Sequence, residues 1–177
     1  MSSPHARPRL QFRKVAPAAY EALAAFDDAV GALGLEPTLS ELVRVRASQL
    51  NGCAFCLDMH TKDARARGES EMRLHTLAAW RETPFFTERE RAALAWTEAV
   101  TLLDEHRVTD ALYEETRRHF EESEVAALTL LAIAINAWNR IGVTARAVPG
   151  NYVSTVAPPL AQSPAPSAAP AHASVAS

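Results

Sequence analysis

The chain has 177 residues, of which 48% are hydrophobic and 22% charged, and its formal net charge is −3 at pH 7. A chain of this length and composition folds as one globular domain with a core large enough to need neither disulfides nor a structural metal. The excess of acidic over basic residues gives no electrostatic reason to expect nucleic acid or an anionic membrane as a partner.

Helical periodicity dominates most of the chain. Residues 1–16 lack it and contain Pro4 and Pro8, so we predict an extended N-terminal arm there. No segment combines β-branched residues with the alternation of a strand. Capping residues and glycines instead delimit about six to seven helices, near residues 17–34, 38–50, 53–67, 70–80, 87–106, 109–120 and 123–140. The sequence therefore predicts an all-α domain over residues 17–153.

The composition changes abruptly after Val153. The remaining residues are mainly Pro, Ala and Ser, without Asp, Glu, Lys or Arg. Such a segment cannot bury enough apolar surface to offset the entropy that it would lose on folding. We predict that residues 154–177 form a disordered tail that takes no part in catalysis.

No targeting signal or membrane span is recognisable. The basic residues 1–15 are not followed by the apolar stretch of a secretory signal. The longest uncharged apolar run, residues 125–135, is shorter than the roughly 18 residues that a membrane span needs, and it suits a buried core helix. We predict a cytoplasmic protein. In that reducing compartment, two cysteines three positions apart are more often catalytic or metal-binding than structural.

The residues with reactive side chains cluster at the start of the third predicted helix. Cys53 and Cys56 are three residues apart, so on a helix they share a face and can form a disulfide. The N-terminus of a helix stabilises a thiolate, which is the reactive form of cysteine. His60 follows Cys56 by four residues on the same face, where it can accept the thiol proton or pair with the thiolate. The pattern indicates a redox-active dithiol.

The same residues allow other interpretations. The two cysteines, Cys53 and Cys56, could form a tetrahedral zinc site with His60 and His75. Against this, a helix end separates the two histidines, and the sequence has no second CxxC motif. Leu57 excludes a c-type haem, whose attachment requires histidine directly after the second cysteine. We expect neither a metal nor another cofactor.

Neighbouring polar residues have simpler structural explanations. Glu41 follows Thr38 by three residues, which is the spacing of a capping box at the start of the second helix. We expect Asp58, Lys62 and Asp63 on the exposed face of the third helix, and the three tryptophans in the core.

Residues 41–69, ELVRVRASQLNGCAFCLDMHTKDARARGE, strongly resemble the core motif of the AhpD-like alkylhydroperoxidase family, which shares its fold with carboxymuconolactone decarboxylases. That motif is Glu, eleven residues, Cys-x-x-Cys, three residues and His. Its four positions are matched without a gap by Glu41, Cys53, Cys56 and His60. Two later segments, LAAWRETPFFTERERAALAWTEAVT and INAWNRIGV, also resemble the family, and the likeness spans about residues 10–152.

The resemblance implies an AhpD-like helical subunit that forms a homo-oligomer, as a dimer, trimer or hexamer. Apolar positions such as Phe85, Phe86 and Trp138 are expected to contribute to contacts between subunits. It also implies a dithiol peroxidase that reduces hydrogen peroxide or organic hydroperoxides. The reductant would be another dithiol, in the best-known members a lipoyl group on a partner protein.

The resemblance also implies a role for each residue of the motif. Cys56 would attack the peroxide and become a sulfenic acid, which Cys53 would resolve as a disulfide. His60 would deprotonate Cys56, and Glu41 would relay the proton, a role beyond helix capping. In the well-characterised peroxidase of the family, a second histidine of the relay occupies the position of Phe55, so the relay of this chain is shorter.

Two alternative functions use the same fold or motif. One is a lyase of the carboxymuconolactone decarboxylase type, although those enzymes lack the cysteine pair. The other is a non-enzymatic redox sensor, which needs the same accessible dithiol with a low pKa.

Overall fold

The fold is known from a computed structural model that describes residues 7–157. Over this range the chain forms eight α-helices, one 3₁₀ helix and no β-strand, which confirms the predicted all-α class. The elements are α1 Phe12–Val15, α2 Pro17–Gly31, α3 Pro37–Asn51, α4 Ala54–Ala66, α5 Glu71–Thr76, the 3₁₀ helix Leu77–Glu82, α6 Glu88–Thr101, α7 Asp110–Arg117 and α8 Glu122–Ala145. Residues 1–6 of the predicted arm and residues 158–177 of the predicted tail lie outside the described residues.

Several elements differ from the prediction. The helix predicted over residues 70–80 is the short α5 followed by a 3₁₀ helix, and the final helix continues to Ala145 instead of ending at residue 140. The arm is not extended throughout, because its last residues close the single turn Phe12–Val15, in which the Ala16 N–H donates to the Phe12 carbonyl at 2.8 Å. The helix predicted to end at residue 106 ends at Thr101. The Asp104 carboxylate accepts the His106 N–H at 2.8 Å, which offers the backbone a turn in place of further helix.

Helix α8 lies at the centre of the domain and packs against α2, α3, α4 and α6. Most of its apolar run is buried, as predicted, although Ile133 is exposed, and the buried part contacts Val43 of α3 and Trp96 of α6. By length and composition α8 could also span a membrane, with a mean hydropathy of 1.4 over an 18-residue window, half of which is buried within the domain. The same test is passed by core helices of soluble proteins.

A buried polar network fixes α3 against α8. The Asn51 side-chain amide donates to the side-chain oxygens of Asn136 and Asn139, both at 2.9 Å, and Asn139 donates to the Ser48 hydroxyl at 3.0 Å. A buried polar group left without a partner costs about 1–3 kcal/mol, so this network favours one alignment of the two helices. It lies at the end of α3, directly before the segment that carries the cysteines.

Candidate active site

A tight turn between α3 and α4 positions the two cysteines. Gly52 adopts a left-handed conformation, with φ of 66°, that ends α3 and is accessible to glycine without strain. Cys53 is then the N-cap residue of α4, and its sulfur accepts the Cys56 N–H at 3.4 Å. The two sulfurs form a disulfide, with the Cα atoms 5.4 Å apart. The predicted location of the cysteine pair at the start of a helix is confirmed.

Helix α8 closes one side of this disulfide. A Cβ atom added to Gly142 would lie 2.8 Å from the Cys53 sulfur and 3.5 Å from the Cys56 sulfur, so even alanine there would force a sulfur to move. Cys53 is 1% exposed and packs in a cluster with Ala47 and Ile135. The absence of a side chain at Gly142 therefore allows α8 to cover Cys53.

A cavity of about 560 Å³ lies beside the disulfide, and it is lined by Cys56 and Gly142 but not by Cys53. Aromatic residues from four parts of the chain form much of its wall, namely Phe12, Tyr20, Phe55 and Trp138. The Tyr20 and Trp138 rings meet edge to face, with centroids 5.1 Å apart. Trp138, which we expected in the core, is instead half-buried on this wall, and its indole N–H donates to Asp27 at 3.2 Å. An apolar cavity with a few polar groups is typical of a small-molecule site.

His60 and Glu41 form a buried pair that also lines the cavity. The His60 Nδ1 lies 3.0 Å from Glu41 Oε2, and the Arg67 Nε lies 3.5 Å from Glu41 Oε1. Glu41 occupies Nδ1 and leaves the other ring nitrogen, Nε2, without that partner, and His60 lines the same cavity as Cys56, one turn earlier on α4. The four residues of the sequence motif therefore meet at one place.

The capping interpretation of Glu41 is wrong. Helix α3 has Glu36 as its N-cap residue and Pro37 as its first residue, which places Thr38 inside the helix. Glu41 is consequently in the second turn, beyond the free N–H groups of the helix N-terminus.

Asp63 was wrongly expected on an exposed face. Its side chain is buried and lines the cavity, and both carboxylate oxygens accept the Tyr152 hydroxyl at 2.9 Å. Burial, followed by this hydrogen bond, raises the pKa of Tyr152 to about 12. The spacing of three residues from His60 is a sequence signal that could have placed Asp63 on the same face.

Glu41, His60 and Asp63 could in principle hold a metal ion, because their ligand atoms lie within 4.8 Å of one another. In the structure each has a partner from the protein: His60 bonds to Glu41, and Asp63 bonds to Tyr152. His75 does not join the cysteines in a zinc site, since it is exposed and lies 3.6 Å from Glu71 on α5.

Sequence and structure comparisons give one consistent family. Residues 17–99 match the carboxymuconolactone decarboxylase family. The uncharacterized protein YdfG of Bacillus subtilis is 40% identical over 135 residues, which cover 76% of this chain and 92% of YdfG. The chain thus spans nearly the whole of this relative.

Solved structures agree with this result. A protein of unknown function from Agrobacterium tumefaciens, described as a candidate antioxidant defence protein AhpD, is 41% identical with a TM-score of 0.79, covering 81% of this chain and 99% of that one. The AhpD core of an uncharacterized peroxidase-related protein from Ralstonia eutropha shares the fold at 23% identity and a TM-score of 0.69, covering 78% of this chain and 74% of that one.

The chain belongs to the AhpD-like proteins of the carboxymuconolactone decarboxylase family. The resemblance noted from the Glu–CxxC–His motif is thereby confirmed. An AhpD-like fold that carries a CxxC pair is compatible with peroxidase activity.

Proposed function

We propose that the protein is a dithiol peroxidase that reduces organic hydroperoxides more efficiently than hydrogen peroxide. The observation that carries this proposal is the placement of the dithiol, with Cys56 on the cavity wall and the buried His60–Glu41 pair one turn further along α4. A largely apolar cavity of about 560 Å³, with four aromatic residues on its wall, suits a substrate with a hydrocarbon body.

The first half of the cycle oxidises Cys56. The thiol of Cys56 passes its proton to the His60 Nε2, and the thiolate attacks the outer oxygen of the peroxide. The O–O bond breaks, the alcohol leaves with the proton returned by the His60 imidazolium, and Cys56 becomes a sulfenic acid. Glu41 accepts the Nδ1–H of His60 and so fixes the tautomer in which Nε2 acts as the base.

The second half restores the dithiol. The Cys53 thiol attacks the Cys56 sulfenic acid, water leaves, and the disulfide of the structure forms. An external dithiol, such as a lipoyl group on a partner protein, then reduces the disulfide by thiol–disulfide exchange. Phe55, at the position of the histidine found in the well-characterised peroxidase, contributes apolar wall to the cavity rather than a second relay group.

We also propose that the protein is cytoplasmic and forms a homo-oligomer. The side chains of Ile133 and Val143 on α8 are about half exposed and offer apolar area for contact with a second copy. Phe86, which we expected to contribute to such contacts, is instead buried within the subunit, next to Trp80.

Steady-state kinetics with dihydrolipoamide as reductant test the proposed function. We expect kcat/KM for cumene hydroperoxide to exceed that for hydrogen peroxide by roughly tenfold or more, because burial of about 100 Å² of apolar surface is worth about 2.5 kcal/mol. A double Cys53→Ser, Cys56→Ser variant serves as the control for uncatalysed reduction. Equal efficiency with both peroxides would contradict the role of the cavity, and no turnover of either would contradict a peroxidase.

A further inference from the structure

The segment after α8 folds back onto α4. Arg146 adopts a left-handed conformation, with φ of 52°, and the Ala147 N–H donates to the Gly142 carbonyl at 2.9 Å, which reverses the chain. We call residues 147–153 the strap. A non-glycine residue at positive φ is uncommon, so the reversal is a specific feature of the chain.

Three residues of α4 hold the strap. The Gly150 N–H donates to Asp58 at 2.9 Å, the Lys62 ammonium donates to the Tyr152 carbonyl at 2.8 Å, and the Tyr152 hydroxyl donates to Asp63. The hydrogen bond from Lys62 also lowers the pKa of Asp58. Asp58, Lys62 and Asp63, which were expected to face solvent, therefore bind the strap.

Asp63 faces His60 rather than solvent. It lies three residues beyond His60 on α4, and its carboxylate is within 4.8 Å of the ligand atoms of His60 and Glu41. Both of its oxygens accept from Tyr152, which fixes the carboxylate in place. Tyr152 itself does not line the cavity, so it acts on the site only through Asp63.

The balance of charge around His60 gives Asp63 a distinct role. Besides Cys56, the other charged or titratable groups near His60 or on the cavity wall are Arg13, Tyr20, Asp27, Glu41, Arg44, Arg67 and Tyr152. Arg13 lies 3.8 Å from Glu21. Arg44 pairs with Asp27 at 2.9 Å, and Arg67 lies beside Glu41. Among the described residues Asp63 forms no such ion pair with lysine or arginine, which leaves its charge to act on the His60 ring.

We propose that Asp63, held by Tyr152, is a positioning residue that stabilises the His60 imidazolium when Cys56 gives up its proton. This inference rests on the proton transfer of the proposed function. Along a helix, Asp63 lies one turn from His60 but about 10 Å from Cys56. Its charge therefore favours the imidazolium more than it disfavours the thiolate.

The test measures how fast iodoacetamide alkylates Cys56 as a function of pH, in the reduced full-length chain with Cys53→Ser. This reaction reports thiolate formation and needs no peroxide. We expect Asp63→Asn to raise the pH midpoint by about one unit, and Tyr152→Phe to raise it by less because the carboxylate remains. Asp63→Glu should restore much of the original midpoint. Tyr113→Phe, on α7 and in contact with Trp96, is the matched control and should change nothing.

Each result of the alkylation test either supports or contradicts the proposed role of Asp63. An unchanged midpoint in a folded Asp63→Asn protein would overturn it, and should that variant fail to fold, an unchanged midpoint in Tyr152→Phe would do the same. A divalent ion that copurifies with the wild-type chain and is lost in Asp63→Asn would also overturn it, in favour of a metal site. If the midpoints shift although the wild-type chain turns over no peroxide, the positioning role stands and the peroxidase proposal fails.

Discussion

Cys56→Ser is expected to abolish peroxide turnover, whereas Cys53→Ser should still consume one equivalent of peroxide per subunit. The reason is that Cys56 lines the cavity while α8 covers Cys53. Without Cys53 no disulfide can form, so the sulfenic acid on Cys56 should persist and react with a dimedone-type probe. Mass spectrometry of the labelled peptide checks this result.

The same pair of variants can reverse the assignment. Serine is a good N-cap residue, so Cys53→Ser should keep the start of α4, and a melting temperature near that of the wild-type chain is the control. If turnover persists in Cys56→Ser and the probe labels Cys53, then Cys53 is the residue that attacks peroxide.

His60→Gln and Glu41→Gln should each lower kcat/KM by roughly a hundredfold to ten-thousandfold, the range that general acid–base groups supply. His60→Gln removes the base, and its activity should recover partly at higher pH, where the thiol of Cys56 ionises unaided. Glu41→Gln keeps a hydrogen-bonding group beside Nδ1 but loses the charge that fixes the ring. Profiles of kcat/KM against pH for both variants measure these effects.

Glu36→Gln is the matched control for the second substitution. Glu36 precedes the same helix, α3, but pairs with Arg89 and does not line the cavity. Its loss should leave turnover unchanged. If Glu41→Gln also leaves turnover unchanged and only lowers the melting temperature, then Glu41 has a structural role and the relay ends at His60.

Local signals predicted most helix starts but not all helix ends. Thr87 and Glu90 form the capping box that their spacing indicated, and Ser70 and Thr109 cap α5 and α7 through their side chains. The end at Thr101 was missed because the Asp104 turn competes with a helix that the residue pattern alone would continue. Helix ends of this kind depend on side chains that can bond to the backbone in more than one way.

In the candidate site, likewise, the sequence predicted contacts within one helix but not contacts between distant segments. Cys53, Cys56 and His60 lie within one helix and its cap, so sequence spacing was enough to bring them together. Tyr152 is 89 residues from Asp63 in the sequence, and their contact depends on the chain reversal at Arg146. No local sequence pattern predicted that reversal. Contacts made by packing between distant segments cannot be derived from periodicity along one helix.

The close approach of α8 to Cys53 has a kinetic consequence. Cys53 does not line the cavity, so a molecule in the cavity meets the disulfide of the oxidised protein at Cys56, which is itself only 2% exposed. In the proposed cycle, peroxide and reductant therefore react in turn at Cys56 within this cavity, which is a ping-pong scheme in which we expect a large excess of either reactant to inhibit the reaction of the other. For the proposed cycle we expect a reductant carried on a protein to need a flexible arm, such as a lipoyl group, because a thiol on a rigid surface cannot reach a sulfur that is this deeply buried.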